Sequence, residues 1–249
     1  AEEAGIWLVY DGNMMPDFND EIMTLFIEEK QISNDLLKRA AREATIKLLI
    51  TPVFCGAAYK NKGVQNLLDA VVDYLPSPID IGAIVGSDVD DLEKTQKRAP
   101  TNKEPFSALA FKIINDPFVG QQTFIRVYSG VLKSGMPVLN STRGKTERIG
   151  RILKILAKER IDINEAGPGD IVALIGLKLT KTGDTLCNVE QPLLLEKIFI
   201  TPPVIELKIT PAIRKDQEKL GEALRKLANE DPSFTIRFED ETFETIIAG

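Results

Sequence analysis

Residues 105–140 read PFSALAFKIINDPFVGQQTFIRVYSGVLKSGMPVLN, and no other stretch limits so strongly what the chain can fold into. Successive strand side chains point to opposite faces, so Ser107, Leu109, Phe111 and Ile113 fall on one face and Phe106, Ala108, Ala110 and Lys112 on the other. Asn115, Asp116 and Pro117 close this run, because Asn and Asp bond their own backbone and proline fixes φ and lacks an amide donor. A second β run, 123–129, follows, then Gly130, Gly135 and the short run 136–139. This is the rhythm of a small antiparallel β-barrel, and no helical periodicity appears until about residue 213. An all-β block therefore occupies the middle of the chain, with helical material on both sides.

At 249 residues the chain is long enough for two or three units with their own cores. Its 27% charged and 43% hydrophobic residues match a folded soluble protein. No apolar run approaches the roughly 20 residues that span a bilayer, and the opening AEEAGIWLVYDG has neither a basic stretch nor a cleavage pattern. A cytoplasmic protein without a membrane or DNA partner is expected, and a monomer. Cys55 and Cys187 lie in different segments without C-x-x-C spacing, and the sequence has no histidine, which argues against a disulfide or a zinc site. The same lack excludes Ser-His-Asp and Cys-His catalysis, and the carboxylates show no spacing that pairs them for acid–base work.

The net charge of -6 hides a division, with -7 over residues 1–104, +4 over 105–195 and -3 over 196–249. Within the middle block Arg143, Lys145, Arg148, Arg151, Lys154, Lys158 and Arg160 face only Glu147 and Glu159. A basic concentration in an acidic chain attracts phosphates, while the plainer reading is a solvated strand surface.

Before the block, 16–30 reads as a helix with Ile22, Leu25 and Phe26 on one stripe and Asn19 or Asp20 near its start as cap. Ser33 caps a second helix with Leu36, Leu37, Ala40 and Ala44 inside. The run 48–54 suits a strand buried on both faces. Cys55, Gly56, Ala57 and Ala58 then form a small-residue loop, and Gly63 precedes a helix with Val64, Leu67, Leu68, Val71, Val72 and Leu75 at helical spacing. Strand, loop and helix make half of an α/β unit, whose loops at strand ends commonly bind ligands. Pro76 and Pro78 end that helix, and 79–104 reads as a surface connection. Beyond the opening hairpin, 146–157 continues the barrel with Ile149, Leu153 and Ile155 turned inward. Residues 167–170 are a turn, 171–175 a strand, and 182–187 closes the block. The last segment reads as a strand at 204–209, a helix over 215–229 with Leu220, Ala223, Leu224, Leu227 and Ala228 on one stripe, and strands at 234–238 and 245–248. That order is three quarters of a split β-α-β domain.

The run EPFSALAFKIINDPFVGQQTFIRVYSGVLKSGMPVLNS resembles the start of the second domain of bacterial-type elongation factor G. CGAAYKNKGVQNLLDAVVDYLPSPID resembles the end of that family's GTP-binding domain, and INEAGPGDIVALIGL, TGDTLCN and DQEKLGEALRKLANEDPSF continue the match. The resemblance implies a multidomain α/β and β chain. Residues 1–78 would be the C-terminal part of a P-loop GTPase domain, 79–104 a linker, 105–195 a translation-factor-type antiparallel β-barrel, and 196–249 an incomplete ferredoxin-like split β-α-β domain. It implies an internal fragment of a GTP-dependent ribosomal translocase. Gly56, Ala57 and Ala58 would be the remnant of a guanine-contacting loop, with Ala57 standing where the family has serine. Arg143, Lys145, Arg148 and Arg151 would be contacts to small-subunit ribosomal RNA. GTP or GDP with magnesium belongs to the intact parent. This chain holds no G-x-x-x-x-G-K-[ST] cradle and no D-x-x-G segment, and Asn61-Lys62-Gly63-Val64 ends on the wrong residue for N-K-x-D, so no cofactor, no metal and no catalytic residue are expected in it. A ribosomal protection protein, a release-factor GTPase and a non-enzymatic barrel binding module are the alternatives.

Overall fold

The computed structural model describes residues 19–116, 119–239 and 244–249, and the chain divides into two compact units, Ala1–Ile81 and Gly82–Gly249.

In the first unit α1 (Asp20–Ile27) starts where the Asn19 side chain accepts from the Ile22 amide at 3.1 Å, and α2 (Asn34–Ile46) where Ser33 accepts from the Leu36 amide. Both caps satisfy amides that a helix start leaves without partners. α3 (Val64–Tyr74) packs against α2, and their core is Ile22, Leu36, Ala40, Ala41, Ala44, Ile50, Ala70 and Tyr74. Alanines on α2 let the two helices approach closely. Three expectations need correction. Phe26 is half exposed, so the α1 stripe narrows to Ile22 and Leu25, and residues 16–18 of the expected helix lie outside the described residues. The run 48–54 forms no strand: Leu48 adopts φ 57° and is 90% exposed, because among the described residues of this unit no strand runs beside it to take its hydrogen bonds. On α3 the expected inner stripe faces outward, with Leu67, Leu68, Val71, Val72 and Leu75 exposed, since the helix meets α2 through Ala70 and Tyr74 instead. A short helix, α4 (Pro78–Ile81), then begins on proline, where a missing amide costs nothing.

The region read as a surface connection is ordered. β1 (Ile84–Ser87) and β2 (Thr95–Arg98) pair antiparallel, and Ser87 exchanges two backbone hydrogen bonds with Leu194, at 2.8 and 2.9 Å. The buried Arg98 donates to the carbonyl and side chain of Gln191. Gly86 is required there, because a Cβ would sit 2.6 Å from Leu193 Cδ1.

Ten strands follow: β3 (Ser107–Asp116), β4 (Gly120–Ser129), β5 (Leu132–Lys133), β6 (Pro137–Asn140), β7 (Lys145–Arg148), β8 (Arg151–Leu156), β9 (Glu159–Ile163), β10 (Glu165–Ala166), β11 (Ile171–Ile175) and β12 (Thr185–Cys187). Eight form one antiparallel sheet in the order β7-β6-β12-β3-β4-β11-β8-β9, and β5 pairs with β10. The sheet curls on itself: the Gly150 amide, just past β7, donates to Ile175 on β11, and Ala108, Val127, Val138, Ile152, Leu174 and Leu186 from six strands share one core. Burial raises the pKa of the Cys187 thiol within this wall. The alternation of β3 is interrupted. A bulge between Ala110 and Lys112 leaves Phe111 without a pairing partner, so Ala110 pairs with Ile125 and Ile113 with Thr123, and both are buried although three positions apart. Ile113 therefore does not share a face with Phe111. The expected strand 146–157 likewise breaks at Gly150 into β7 and β8, and Ile152 rather than Ile155 is central to the core.

The C-terminal part is β13 (Glu206–Ile209), α5 (Gln217–Glu230), β14 (Thr235–Glu239) and β15 (Glu244–Ala248), with β15 between β13 and β14 and both pairings antiparallel. α5 packs on β14 through Leu224, with Leu220 and Ala228 half buried, while Ala223 and Leu227 of the expected stripe are exposed.

Candidate functional site

The basic cluster lies on β7, the turn before it and the start of β8. Arg143, Lys145, Arg148 and Arg151 are all exposed, and the structure gives them different tasks. Arg143 Nε donates to Asp184 Oδ2 at 2.5 Å and Nη2 to Oδ1 at 3.3 Å. The Asp184 side chain is 4% exposed and also accepts from Asn140 Nδ2 and the Lys181 amide, each at 2.8 Å. A buried carboxylate needs partners of this kind, so the charge of Arg143 is committed to the fold. Arg148 Nε donates to the Gly135 carbonyl at 2.8 Å, leaving its remaining donors and charge at the surface. Arg151 and Asp162 are 3.7 Å apart with both side chains more than half exposed, a pairing weak enough for a phosphate to displace. Lys145 opens β7 opposite Asn140 on β6 and is exposed.

Glu147, an acid among bases, is a residue that sequence reasoning missed. Its Oε1 accepts from the amides of Lys178 and Leu179 at 2.7 and 2.8 Å, and its Oε2 from Thr180 Oγ1 at 2.5 Å. Glu147 and Asp184 together clasp the loop 176–184 against the barrel. The signal available in the sequence is its isolation: an acid amid Arg and Lys side chains is out of place unless something other than those charges requires it.

In the first unit, residues 55–63 form the loop read as a guanine edge. The Ala57 amide donates to the Lys62 carbonyl at 3.0 Å and the Lys62 amide returns to Ala57 at 3.2 Å, while Ala58–Lys60 makes one turn of 3-10 helix. Asn61 and Gly63 take left-handed backbone, which favours glycine at 63, and a Cβ on Gly56 would press on the Lys62 carbonyl at 3.2 Å. The Ala57 amide is thus used within the loop itself. Gly56, Ala58, Lys62 and Gly63 border a cavity of about 190 Å³. The loop brings backbone amides and small side chains to this cavity, and the sequence contains no phosphate-cradling run. Among the described residues no group of three or more His, Cys, Asp or Glu is arranged to hold a metal ion.

An apolar cleft of about 460 Å³ opens beside it, lined by Ile50, Phe54, Ala70, Tyr74, Pro76 and Ile81 among others. The Phe54 and Tyr74 rings are 6.0 Å apart, and burial raises the pKa of the Tyr74 hydroxyl. Among the described residues no helix is long and apolar enough to cross a membrane.

The second unit is thus a curled antiparallel barrel followed by a β-α-β-β unit, the architecture of the elongation factor G domains whose models it matches. Residues 105–189 match the protein-family model described as elongation factor G domain 2, and residues 200–249 match elongation factor G, domain III. The two matches cover more than half of the chain, and it belongs to the elongation factor G family. It is also similar to the crystal structure of a protein from Thermus thermophilus, with TM-score 0.71 and 26% identity over 95% of this chain. It spans about a third of that protein's length, 33%.

Proposed function

We propose that this chain is the part of an elongation factor G-type GTP-dependent ribosomal translocase that supplies ribosomal RNA contacts and the relay between domains, and not the GTP-hydrolysing centre. On this reading the first unit is the end of a GTPase domain of a cytoplasmic parent, and the C-terminal unit belongs to a ferredoxin-like split β-α-β domain. GTP or GDP with magnesium is bound by the parent, and the loop Gly56, Ala57 and Ala58 adds an edge to the base. The observation that carries the reading is the exposed basic strip of Lys145, Arg148 and Arg151 on a barrel of this family. Small-subunit RNA phosphates are its partners.

The test is the salt dependence of binding to small ribosomal subunits. Phosphate contacts release counterions, so replacing Lys145, Arg148 or Arg151 by alanine lowers the log–log salt slope by about one unit each and weakens binding. Arg143→Ala acts differently, lowering the melting temperature of the barrel because it strips Asp184 of its guanidinium. Unchanged affinity and slope in the triple variant Lys145→Ala, Arg148→Ala, Arg151→Ala overturns the assignment. Isothermal calorimetry with GTP and magnesium tests the other half, and a micromolar dissociation constant for this chain contradicts the single-edge reading of the loop.

A further inference from the structure

The end of the β3–β4 hairpin and the end of α5 meet. The Asn115 amide donates to Glu230 Oε1 at 2.7 Å, and Asn115 Nδ2 donates to the Lys226 carbonyl at 3.3 Å. Next to Asn115, Asp116 Oδ2 accepts from Arg160 Nη2 on β9 at 2.6 Å, with the Asp116 side chain only 11% exposed. The hairpin end that receives α5 is thereby itself tied to β9, at the edge of the sheet.

Three features set this contact apart from incidental surface packing. Glu230 is the last residue of α5, and no basic residue lies in the last turn of that helix. A carboxylate there opposes the helix dipole, so the position serves the contact and not the helix. Large apolar side chains on both elements stay partly open, Leu227 50% exposed on α5 and Phe111 and Ile114 each 36% exposed on β3. Residues 196–205, which join the barrel to the C-terminal unit, hold no helix or strand and are almost all exposed. α5 rests on β3 with its packing, and the polar contact closes the end of that seat where the apolar cover is thin.

We propose that Asn115 and Glu230 form a latch that fixes the C-terminal unit on the barrel, with Glu230 as its positioning residue. The latch closes with α5 seated on β3 and opens without disturbing either core, because both partners lie at the ends of their elements. It names the residues through which movement of the third domain would be coupled to the second, and that consequence rests on the relay reading above; the latch itself does not.

The test is amide hydrogen exchange of Asn115, read by nuclear magnetic resonance on the full chain. In the unsubstituted chain the Asn115 amide is protected. In Glu230→Ala its exchange speeds at least tenfold, while amides of the β14–β15 ladder and of β4 keep their rates. Glu230→Gln, which retains an acceptor oxygen, recovers most of the protection. A second readout is energy transfer between dyes on the barrel and on β14, whose distance distribution broadens in Glu230→Ala and not in Glu230→Gln. Exchange at Asn115 in the unsubstituted chain as fast as in Glu230→Ala, or an unchanged distance distribution in that variant, overturns the latch. Salt-dependent binding to small ribosomal subunits is measured alongside, so loss of the RNA reading with an intact latch remains distinguishable.

Discussion

Arg42 caps α3 from outside the helix. Its Nη1 donates to the carbonyls of Val72, Asp73 and Leu75 at 3.2, 2.8 and 3.4 Å, and its Nη2 to Asp80 at 2.7 Å. Those carbonyls belong to the helix end that has no partners of its own, and a fork-shaped cation reaches several at once. Arg42→Ala is expected to destabilise the first unit by about 2 kcal/mol in urea titration, and Arg42→Lys to recover only part, since one ammonium can meet the carbonyls or Asp80 but not both. Asp80 makes this corner sensitive to acid. The Ser77 hydroxyl, then the Ser77 amide, hold its carboxyl below the ordinary aspartate value of 3.8, with Arg42 adding to them. A depressed folded pKa contributes stability that is present above 3.8 and is lost as pH falls below it. Urea midpoints of the first unit should therefore decline below about pH 4, and Asp80→Asn should flatten that decline. In the barrel, Asp184→Ala leaves the Lys181 amide and Arg143 without their acceptor and Asn140 Nδ2 with Thr180 alone, and a loss of about 3 kcal/mol is expected in thermal unfolding.

At the scale of elements, the strands that read most clearly are compact β-rich runs bounded by turn residues. β11 lies where the sequence places it, an apolar run set off by the turn at 167–170, and β4 covers the expected 123–129 run but starts three residues earlier, at Gly120. β3 is legible as a strand but not in its register: every residue near Phe111 has a strand-forming or neutral side chain, and nothing local marks which of them the ladder will skip. Gly150 is legible as a glycine and not as a break, since the need for it comes from Ile175, 25 positions away in the chain. A Cβ at Gly150 would meet the Ile175 carbonyl at 2.6 Å, so Gly150→Ala should cost the barrel about 2 kcal/mol by overpacking, measured by guanidinium unfolding. The run 48–54 has strand composition but no ladder, and composition cannot say whether a partner strand is at hand. Of the candidate site, the basic cluster is legible as charge. Its division into a clamped Arg143 and an open Lys145 is not, because Asp184 approaches from a distant turn.

Over the whole molecule, the β1–β2 ladder moves the edge of the barrel unit. Ser87 and Arg98 bind the segment 188–195 directly, so those residues belong to the fold of the barrel although no barrel pattern runs through them. A chain of residues 82–195 should melt several degrees above one of residues 104–195, since losing about 1 kcal/mol shifts a domain of this size by roughly 4–8 °C. Equal melting temperatures would make the ladder an ornament. The clasp of Glu147 and Asp184 reaches further than the stability of one turn. Lys178 and Lys181 are exposed on a loop and would be obvious cutting points for trypsin, yet their amides are held by the two clasping carboxylates. A protease must draw its substrate out into extended form, and these bonds yield only when the barrel opens. Lys197, in the irregular connection to the C-terminal unit, lies in no helix or strand and should be cut first. The order of nicking thus becomes a clock: the first band marks the open connection, and the appearance of cleavage after Lys178 counts barrels that have come apart.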